Sequence, residues 1–223
     1  MSEAQRYDVV VIGAGSTGEN VAERAVKGGL SAVVVEAELV GGDCSYWACM
    51  PSKALLRPGH VLTAARRVAG ARQALTGELD AAAVLARRDS FASGWDDAGQ
   101  VRWLDGAGIA LVRGQGRLAD ARRVEVEAQS GTVVLDARHA VVLATGSVPA
   151  LPPITGLHDA RPWTTKEATS AKDPPGRLVV VGGGVAGCEL SQAWASLGTE
   201  VTLLEMADRL LASYEPVAGE LLA

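Results

Sequence analysis

The chain has 223 residues, 21 Lys and Arg against 26 Asp and Glu, a formal charge of −5, and 48% hydrophobic residues. That balance excludes a disordered chain, a collagenous repeat and a cysteine-rich secreted scaffold, and it offers no basic field for a broad nucleic-acid surface. No run reaches membrane-spanning length, and acids stand where a secretory leader has a basic start, so a cytoplasmic chain with neither membrane nor nucleic-acid partner is expected.

The first predicted elements are strand, turn, helix and strand. YDVVVIG from Tyr7 is a β-branched run, AGSTGENVAERAVKGG turns and takes helical spacing, and SAVVVE ends a second strand at Glu36. Unbroken valine puts apolar side chains on both faces of each strand, which favours parallel β covered by helices on either side. Residues 50–95 are rich in Ala, Leu and Arg at helical spacing, and 101–145 switch to short strand-like pieces: GIALVRGQGRLAD, RRVEVEAQ, GTVVLDA and HAVVLATG. These pieces predict a small β excursion that returns to the parent sheet. A Pro- and Gly-rich stretch follows, and then the opening pattern returns as RLVVVGG, GVAGCELSQAWASLG and TEVTLLE.

The two copies carry the same fingerprint. Gly13, Gly15 and Gly18 form G-x-G-x-x-G after a strand, as do Gly182, Gly184 and Gly187, and Gly13 to Glu36 and Gly182 to Glu205 are both 23 residues. The first glycine permits the tight turn, the second admits a pyrophosphate against backbone, and the third lets helix and strand pack closely. The acid ending the second strand is placed to accept a ribose hydroxyl, and at Glu205 it favours NAD over NADP, while Arg209 sits too far along to settle the point. Two nucleotides are implied. The fold class is α/β: a Rossmann-like first domain over 1–150 with its helical and β insertion, a linker over 151–176, and the start of a second Rossmann-like domain over 177–223. Two strands are too few for a doubly wound domain, so the chain is expected to be part of a longer polypeptide, with apolar surface exposed around 178–223.

Cys44 and Cys49 lie in GGDCSYWACMPSK, ahead of a helix expected to begin near Pro51 or Ser52. A turn across four intervening residues can bring two cysteines within bonding range, and helix N-terminal amides stabilise the thiolate that exchanges disulfides. Two unrelated buried thiols or half of a metal site are the alternatives, although no second Cys/His pair lies nearby. Cys188, inside the second fingerprint, reads as a packing residue. His60, His139 and His158 read as structural or exposed.

In these motifs the sequence resembles the pyridine nucleotide-disulfide oxidoreductases, the group that includes dihydrolipoamide dehydrogenase, glutathione reductase and mercuric reductase. VVVIGAGSTGENVA is similar to the FAD fingerprint, GGDCSYWACMPSKALL to the redox-disulfide segment, HAVVLATGSVPALPPITG to the strand and turn leaving the flavin domain, and VVVGGGVAGCELSQAWASLGTEVTLLE to the NAD fingerprint. The resemblance implies FAD along Gly13, Gly15, Gly18 and Glu36, with Gly42 and Asp43 near its pyrophosphate and Thr145 and Gly146 turning close to it. It implies NAD on Gly182, Gly184, Gly187 and Glu205. It makes Cys49 the flavin-side thiol, Cys44 the interchange thiol, and Lys53 a cation beside the flavin's N5 side. The implied reaction moves electrons between nicotinamide, flavin, the Cys44–Cys49 disulfide and a small-molecule disulfide or dithiol, in a homodimer whose acid/base histidine comes from a later segment. A same-fold flavoenzyme delivering electrons to a quinone, a metal ion or another acceptor is the alternative, and a catalytically silent FAD-binding or interaction module is a third reading. Tyr46 and Trp47 depart from the small residues usual between the cysteines, and Ala48 stands where glycine is usual. The two rings either narrow the approach to Cys44, select a flat acceptor, or pack.

Overall fold

The computed structural model describes residues 4–223. The chain falls into two compact units, one made of 4–46 with Trp95–Leu151 and one of Trp47–Gly94 with Pro152–Ala223.

The first unit is built on a six-stranded sheet in the order β3-β2-β1-β6-β5-β4. Its strands are β1 (Gln5–Ile12), β2 (Ala32–Glu36), β3 (Ala110–Arg113), β4 (Gln115–Asp120), β5 (Arg123–Ala128) and β6 (Gly131–Leu143). β3, β2, β1 and β6 run parallel, and β4–β5–β6 form an antiparallel meander. The β excursion thus returns to the parent sheet as expected. It does so through one 13-residue strand, where the sequence suggested two pieces. The first half of β6 pairs with β5 and its second half with β1, so partners on both sides carry the strand through Asp136 and Arg138.

Val10, Val11, Val33 and Val34 have no exposed surface, which is why both strands read as unbroken valine. One face packs Val9, Val11 and Val34 with Ala22 of helix α1 (Ser16–Lys27) and with Leu104 of helix α6 (Ala98–Gly106), and the other packs Val10, Val33 and Val35 against Val124, Val126 and Leu135. Each such side chain contributes about 1.5–3 kcal/mol of burial. A short helix α2 (Gly42–Tyr46) follows β2. Residues 101–106 are helical instead of strand-like, because α6 (Ala98–Gly106) places Val101 and Leu104 on the sheet at i, i+3 spacing before glycines end it.

In the second unit, α3 (Cys49–Arg66), α4 (Ala71–Ala74) and α5 (Ala81–Phe91) account for the helical reading of 50–95. The unit continues through α7 (Thr165–Ser170), β7 (Arg177–Val181), α8 (Val185–Ser196), β8 (Glu200–Leu204) and α9 (Pro216–Leu222), with β7 and β8 paired in parallel. Its core joins Leu55 and Leu56 of α3, Val84 and Leu85 of α5, Ala168 of α7, and Leu190 and Trp194 of α8. Val179, Val181 and Leu204 are more than half exposed or close to it, in line with the apolar surface anticipated near this end.

Candidate functional site: two nucleotide cradles and a cysteine-bearing helix

In the first fingerprint the Gly13 amide donates to Val35 O at 2.8 Å, and Ala14 N donates to the Glu36 carboxylate at 2.7 Å. The other oxygen of Glu36 accepts from Glu38 N at 2.8 Å. Gly13 has φ of +101°, and a side-chain carbon there would lie 2.2 Å from Ala144 O and 3.2 Å from Thr145 N. A carbon on Gly18 would lie 1.9 Å from Gly13 O, so helix α1 approaches the turn as closely as backbone allows. Gly15 is different: its φ is −77° and its nearest neighbour, Gly42 Cα, would be 3.8 Å from an added carbon. That glycine leaves space in front of the α1 N-terminus, where orphan amides can receive a pyrophosphate.

Gly42 closes one side of this space, a carbon on it falling 2.8 Å from Gly15 Cα, and Gly41 N donates to Ala14 O at 2.8 Å. Asp43 is exposed in the first turn of α2. Sequence reasoning named Gly42 and missed Gly41, which forms an isolated parallel bridge with Gly15. Gly13, Gly15, Gly18, Glu36, Gly42 and Thr145 are therefore brought together in the first unit, with Gly146 next along the chain.

The second fingerprint repeats this geometry. Gly182 N donates to Leu204 O at 2.8 Å, Gly183 N donates to Glu205 at 2.6 Å, and the second Glu205 oxygen accepts from Ala207 N at 2.8 Å. Those two amides hold the Glu205 carboxyl below the usual carboxylate range. A carbon on Gly187 would lie 2.0 Å from Gly182 O, and one on Gly184, with φ of −76°, meets nothing within 4 Å. Each carboxylate oxygen has a second lone pair, so Glu36 and Glu205 can shape their turns and still accept from a ribose hydroxyl. Arg209 is committed elsewhere: its guanidinium donates to the carbonyls of Leu211 at 2.9 Å, Ala212 at 2.9 Å and Tyr214 at 2.7 Å. Both cradles thus fit a dinucleotide, by the space each leaves at its second glycine.

Cys49 does not precede the following helix; it is the first residue of α3, while the half-buried Cys44 lies on α2. Lys53, one turn after Cys49, pairs with both oxygens of Glu189 at 2.5 and 2.7 Å, and Ser52 Oγ donates to the same carboxylate at 2.9 Å. Glu189 sits on α8, just after Cys188. The sequence carried no local signal for this pair, whose members lie 136 residues apart. Cys188 is buried and donates to Gly183 O at 3.3 Å, in keeping with a packing role, and burial followed by the charge of Glu205 pushes its thiol up. Its counterpart in the first copy is Glu19, pushed up by burial and then by Glu36.

Tyr46 is 1% exposed, its ring packs near Gly41, and burial pushes its hydroxyl up to about 12. Trp47 has the Lys166 ammonium 4.3 Å from its ring centroid. Tyr46 is consequently packed and offers no stacking surface, while one face of Trp47 already carries a cation. His60, His139 and His158 are all exposed, and His139 approaches Asp8 at 3.7 Å. Among the described residues, no group of three or more His, Cys, Asp and Glu is placed to hold a metal ion, and no helix is long and apolar enough to cross a membrane.

The chain matches the family described as pyridine nucleotide-disulphide oxidoreductase over residues 7–223. It is 32% identical over 215 residues to a mercuric reductase of Staphylococcus aureus, covering 96% of this chain and 38% of that protein. It is 37% identical over 216 residues to dihydrolipoyl dehydrogenase 3 of Pseudomonas aeruginosa, covering 92% of this chain and 44% of that one. In fold it is similar to the HOCl-induced flavoprotein disulfide reductase RclA of Escherichia coli, solved as a Cu(II) complex, with a TM-score of 0.80 at 22% identity over 98% of this chain and 46% of that one. The chain thus spans less than half the length of the relatives it matches. With its paired nucleotide turns and its cysteine-bearing segment, the chain belongs to the pyridine nucleotide-disulphide oxidoreductase family, a class of FAD- and pyridine-nucleotide-dependent oxidoreductases.

Proposed function

We propose that the chain belongs to an NAD(P)H:disulfide oxidoreductase of the dihydrolipoamide dehydrogenase kind, with the first cradle (1–150) for FAD, the second (177–223) for NAD, and Cys44 and Cys49 as the thiols between flavin and substrate. The observation that carries this reading is Cys49 opening α3 one turn before Lys53, with Lys53 tied by Glu189 to the helix of the second cradle. Bound FAD would supply the step that joins two-electron hydride chemistry to sulfur.

The residues divide the work as follows. Lys53 offers a fixed positive charge, held against Glu189 and Ser52, that favours negative charge developing beside it. Cys49 receives an electron pair as its bond to Cys44 breaks, which frees the Cys44 thiolate. Cys44 attacks an external disulfide, forming a mixed disulfide and releasing one thiol; Cys49 then attacks the Cys44 sulfur, restoring the internal disulfide and releasing the second thiol. Two electrons and two protons reach the substrate in each cycle. With a dithiol substrate the same steps run in reverse. The carboxylate of Glu205 and the commitment of Arg209 to backbone carbonyls support NAD over NADP, because the terminal N–H donors of this arginine are already taken by those carbonyls.

A metal ion is the second acceptor to weigh, since relatives at 32–33% identity include mercuric reductases as well as dihydrolipoyl dehydrogenases. The test is Cys44→Ser and Cys49→Ser in the flavin-loaded protein. Both variants should keep bound FAD and its bleaching by NADH, and should lose disulfide turnover to background. Turnover unchanged with glutathione disulfide, lipoamide and Hg(II) alike would defeat the thiol relay, and retention of quinone reduction alone would favour a direct flavin-to-acceptor enzyme.

A further inference from the structure

The acid that ends β2 anchors a strap of backbone at both of its oxygens. Ala14 N donates to one oxygen of Glu36 at 2.7 Å and Glu38 N to the other at 2.8 Å, while Gly41 N donates to Ala14 O at 2.8 Å. Residues 37–41 thus leave the carboxylate at one end and return to the α1 turn at the other. Over 37–40 the strap is neither helix nor strand, so its amides and carbonyls need partners from elsewhere.

Two side chains from distant elements supply them. Arg113, the last residue of β3 and in register with Glu36, donates from Nη1 to Glu38 O at 2.6 Å, and its Nη2 pairs with Asp97. The same Asp97 oxygen accepts from Val40 N at 2.7 Å. Asp97 stands at the N-cap of α6, yet its carboxylate makes no capping bond to that helix. It is turned onto the strap instead, with its side chain only 13% exposed, where water competes little for a charge-assisted bond. These bonds close a ring that begins and ends on the two oxygens of Glu36, wholly inside the first unit. The second turn holds its loop in another way: Arg209 lies within the loop after Glu205 and donates to carbonyls just beyond itself.

We propose that Arg113 and Asp97 are positioning residues for the adenosine ribose of FAD: by fixing Glu38 and Val40 they hold the Glu36 carboxylate in the orientation that accepts from the ribose 2′-hydroxyl. The proposal rests on the assignment of the first cradle to FAD given above. Arg113 acts through the strap and not on the nucleotide. Its removal leaves the Glu38 carbonyl without that donor and Asp97 without its cation, so Glu38 N no longer reaches Glu36 from a fixed direction and the carboxylate can turn. An acceptor already in place binds a hydroxyl without the ordering cost that a mobile one must meet. A ligand that lacks the hydroxyl gains nothing from that alignment, and this separates positioning of the acid from general support of the fold.

The experiment strips flavin from the full-length protein and rebinds either FAD or the FAD analogue that lacks the adenosine 2′-hydroxyl, with both Kd values read from flavin fluorescence. The parent should favour FAD by about tenfold, as expected for a hydrogen bond to a charged group. Arg113→Met and Asp97→Ala should each narrow that ratio by about threefold or more, with the Kd for NAD at the second cradle unchanged. Asp97→Asn, which keeps an oxygen toward Val40 N and Arg113, should restore the parent ratio. In a Glu36→Ala background Arg113→Met should change the ratio no further, since the acid through which it acts is gone. Should Arg113→Met lose NAD binding as well, a sign of misfolding, the contrast between Asp97→Ala and Asp97→Asn decides. Equal ratios in the parent, Arg113→Met and Asp97→Ala proteins would overturn the proposal and leave the FAD assignment intact. A parent that binds FAD and the analogue alike would overturn the contact between Glu36 and the ribose, and a parent that binds neither would overturn the FAD assignment itself. Asp97→Asn behaving like Asp97→Ala would overturn the role given to the Asp97 oxygen.

Discussion

The two glycine-rich turns share the hydrogen bonds that shape them and differ in what surrounds them. In both, the first glycine's amide is held by the neighbouring strand at 2.8 Å, and one acid binds an amide inside the turn and another two residues beyond itself. The first turn, however, is walled by more backbone: Ala144 and Thr145 lie against Gly13, and Gly41 and Gly42 against Gly15. Around Gly182 and Gly184 an added carbon meets nothing within 4 Å. Local sequence is enough to make the turn. The walls against the first two fingerprint glycines come from distant strands and loops, and the first unit, with six strands in its sheet, supplies them, whereas in the second turn Leu210 reaches the intervening Gly183.

That difference is open to direct attack. Gly13→Ala combines a left-handed backbone with a carbon 2.2 Å from Ala144 O, whereas Gly182→Ala suffers the backbone strain alone. Gly13→Ala should cost about 3 kcal/mol or more in denaturant unfolding and Gly182→Ala about 1 kcal/mol; equal costs would show that the extra wall yields freely. The acid of the second turn is next in size. Glu205→Ala removes the repulsion felt by a 2′-phosphate, so the preference for NADH over NADPH, measured as a ratio of Kd values, should narrow by about tenfold, near 1.4 kcal/mol.

The smallest effect concerns the paired positions Glu19 and Cys188, both pushed up by burial and by the acid of their own turn. A carboxyl whose value is raised on folding gives stability that is present at acid pH and lost as pH rises through that raised value. Glu19→Gln should therefore leave the Tm unchanged near pH 4 and raise it at pH 7, where the unfolding free energy gains about 0.5 kcal/mol once screening at this partly exposed site is allowed for. An identical shift at both values would mean that the charge of Glu19 is not what costs stability.

The turns and their acids were legible in the sequence because each is a local pattern: a strand, three glycines at fixed spacing, and a carboxylate ending the next strand. The buried strands showed as valine runs for the same reason. What escaped was non-local. β6 reads as two pieces because Asp136 and Arg138 interrupt its apolar pattern, yet pairing on both flanks carries the strand through. Cys49 was expected ahead of its helix and instead begins it, the helix starting before Pro51 and not at it. Glu189 and Arg113 gave no sign of their roles, since an ion pair or a bridging guanidinium is defined by partners that only folding brings near. Lys53 was flagged through family likeness, and its partner was not.

If the first cradle serves FAD and the second NAD, Gly15→Ala and Gly184→Ala should each lose one ligand and keep the other. Both glycines have φ that alanine adopts freely, and an added carbon has no neighbour closer than 3.8 Å at Gly15 and none within 4 Å at Gly184, so the methyl should fill ligand space without disturbing the fold. Bound flavin and the Kd for NADH are to be measured on both variants beside the parent. Gly15→Ala should lose flavin, and Gly184→Ala should keep it while its Kd for NADH rises by about a hundredfold or more. Flavin lost from Gly184→Ala and retained by Gly15→Ala, or NADH binding left untouched in Gly184→Ala, would contradict the assignment.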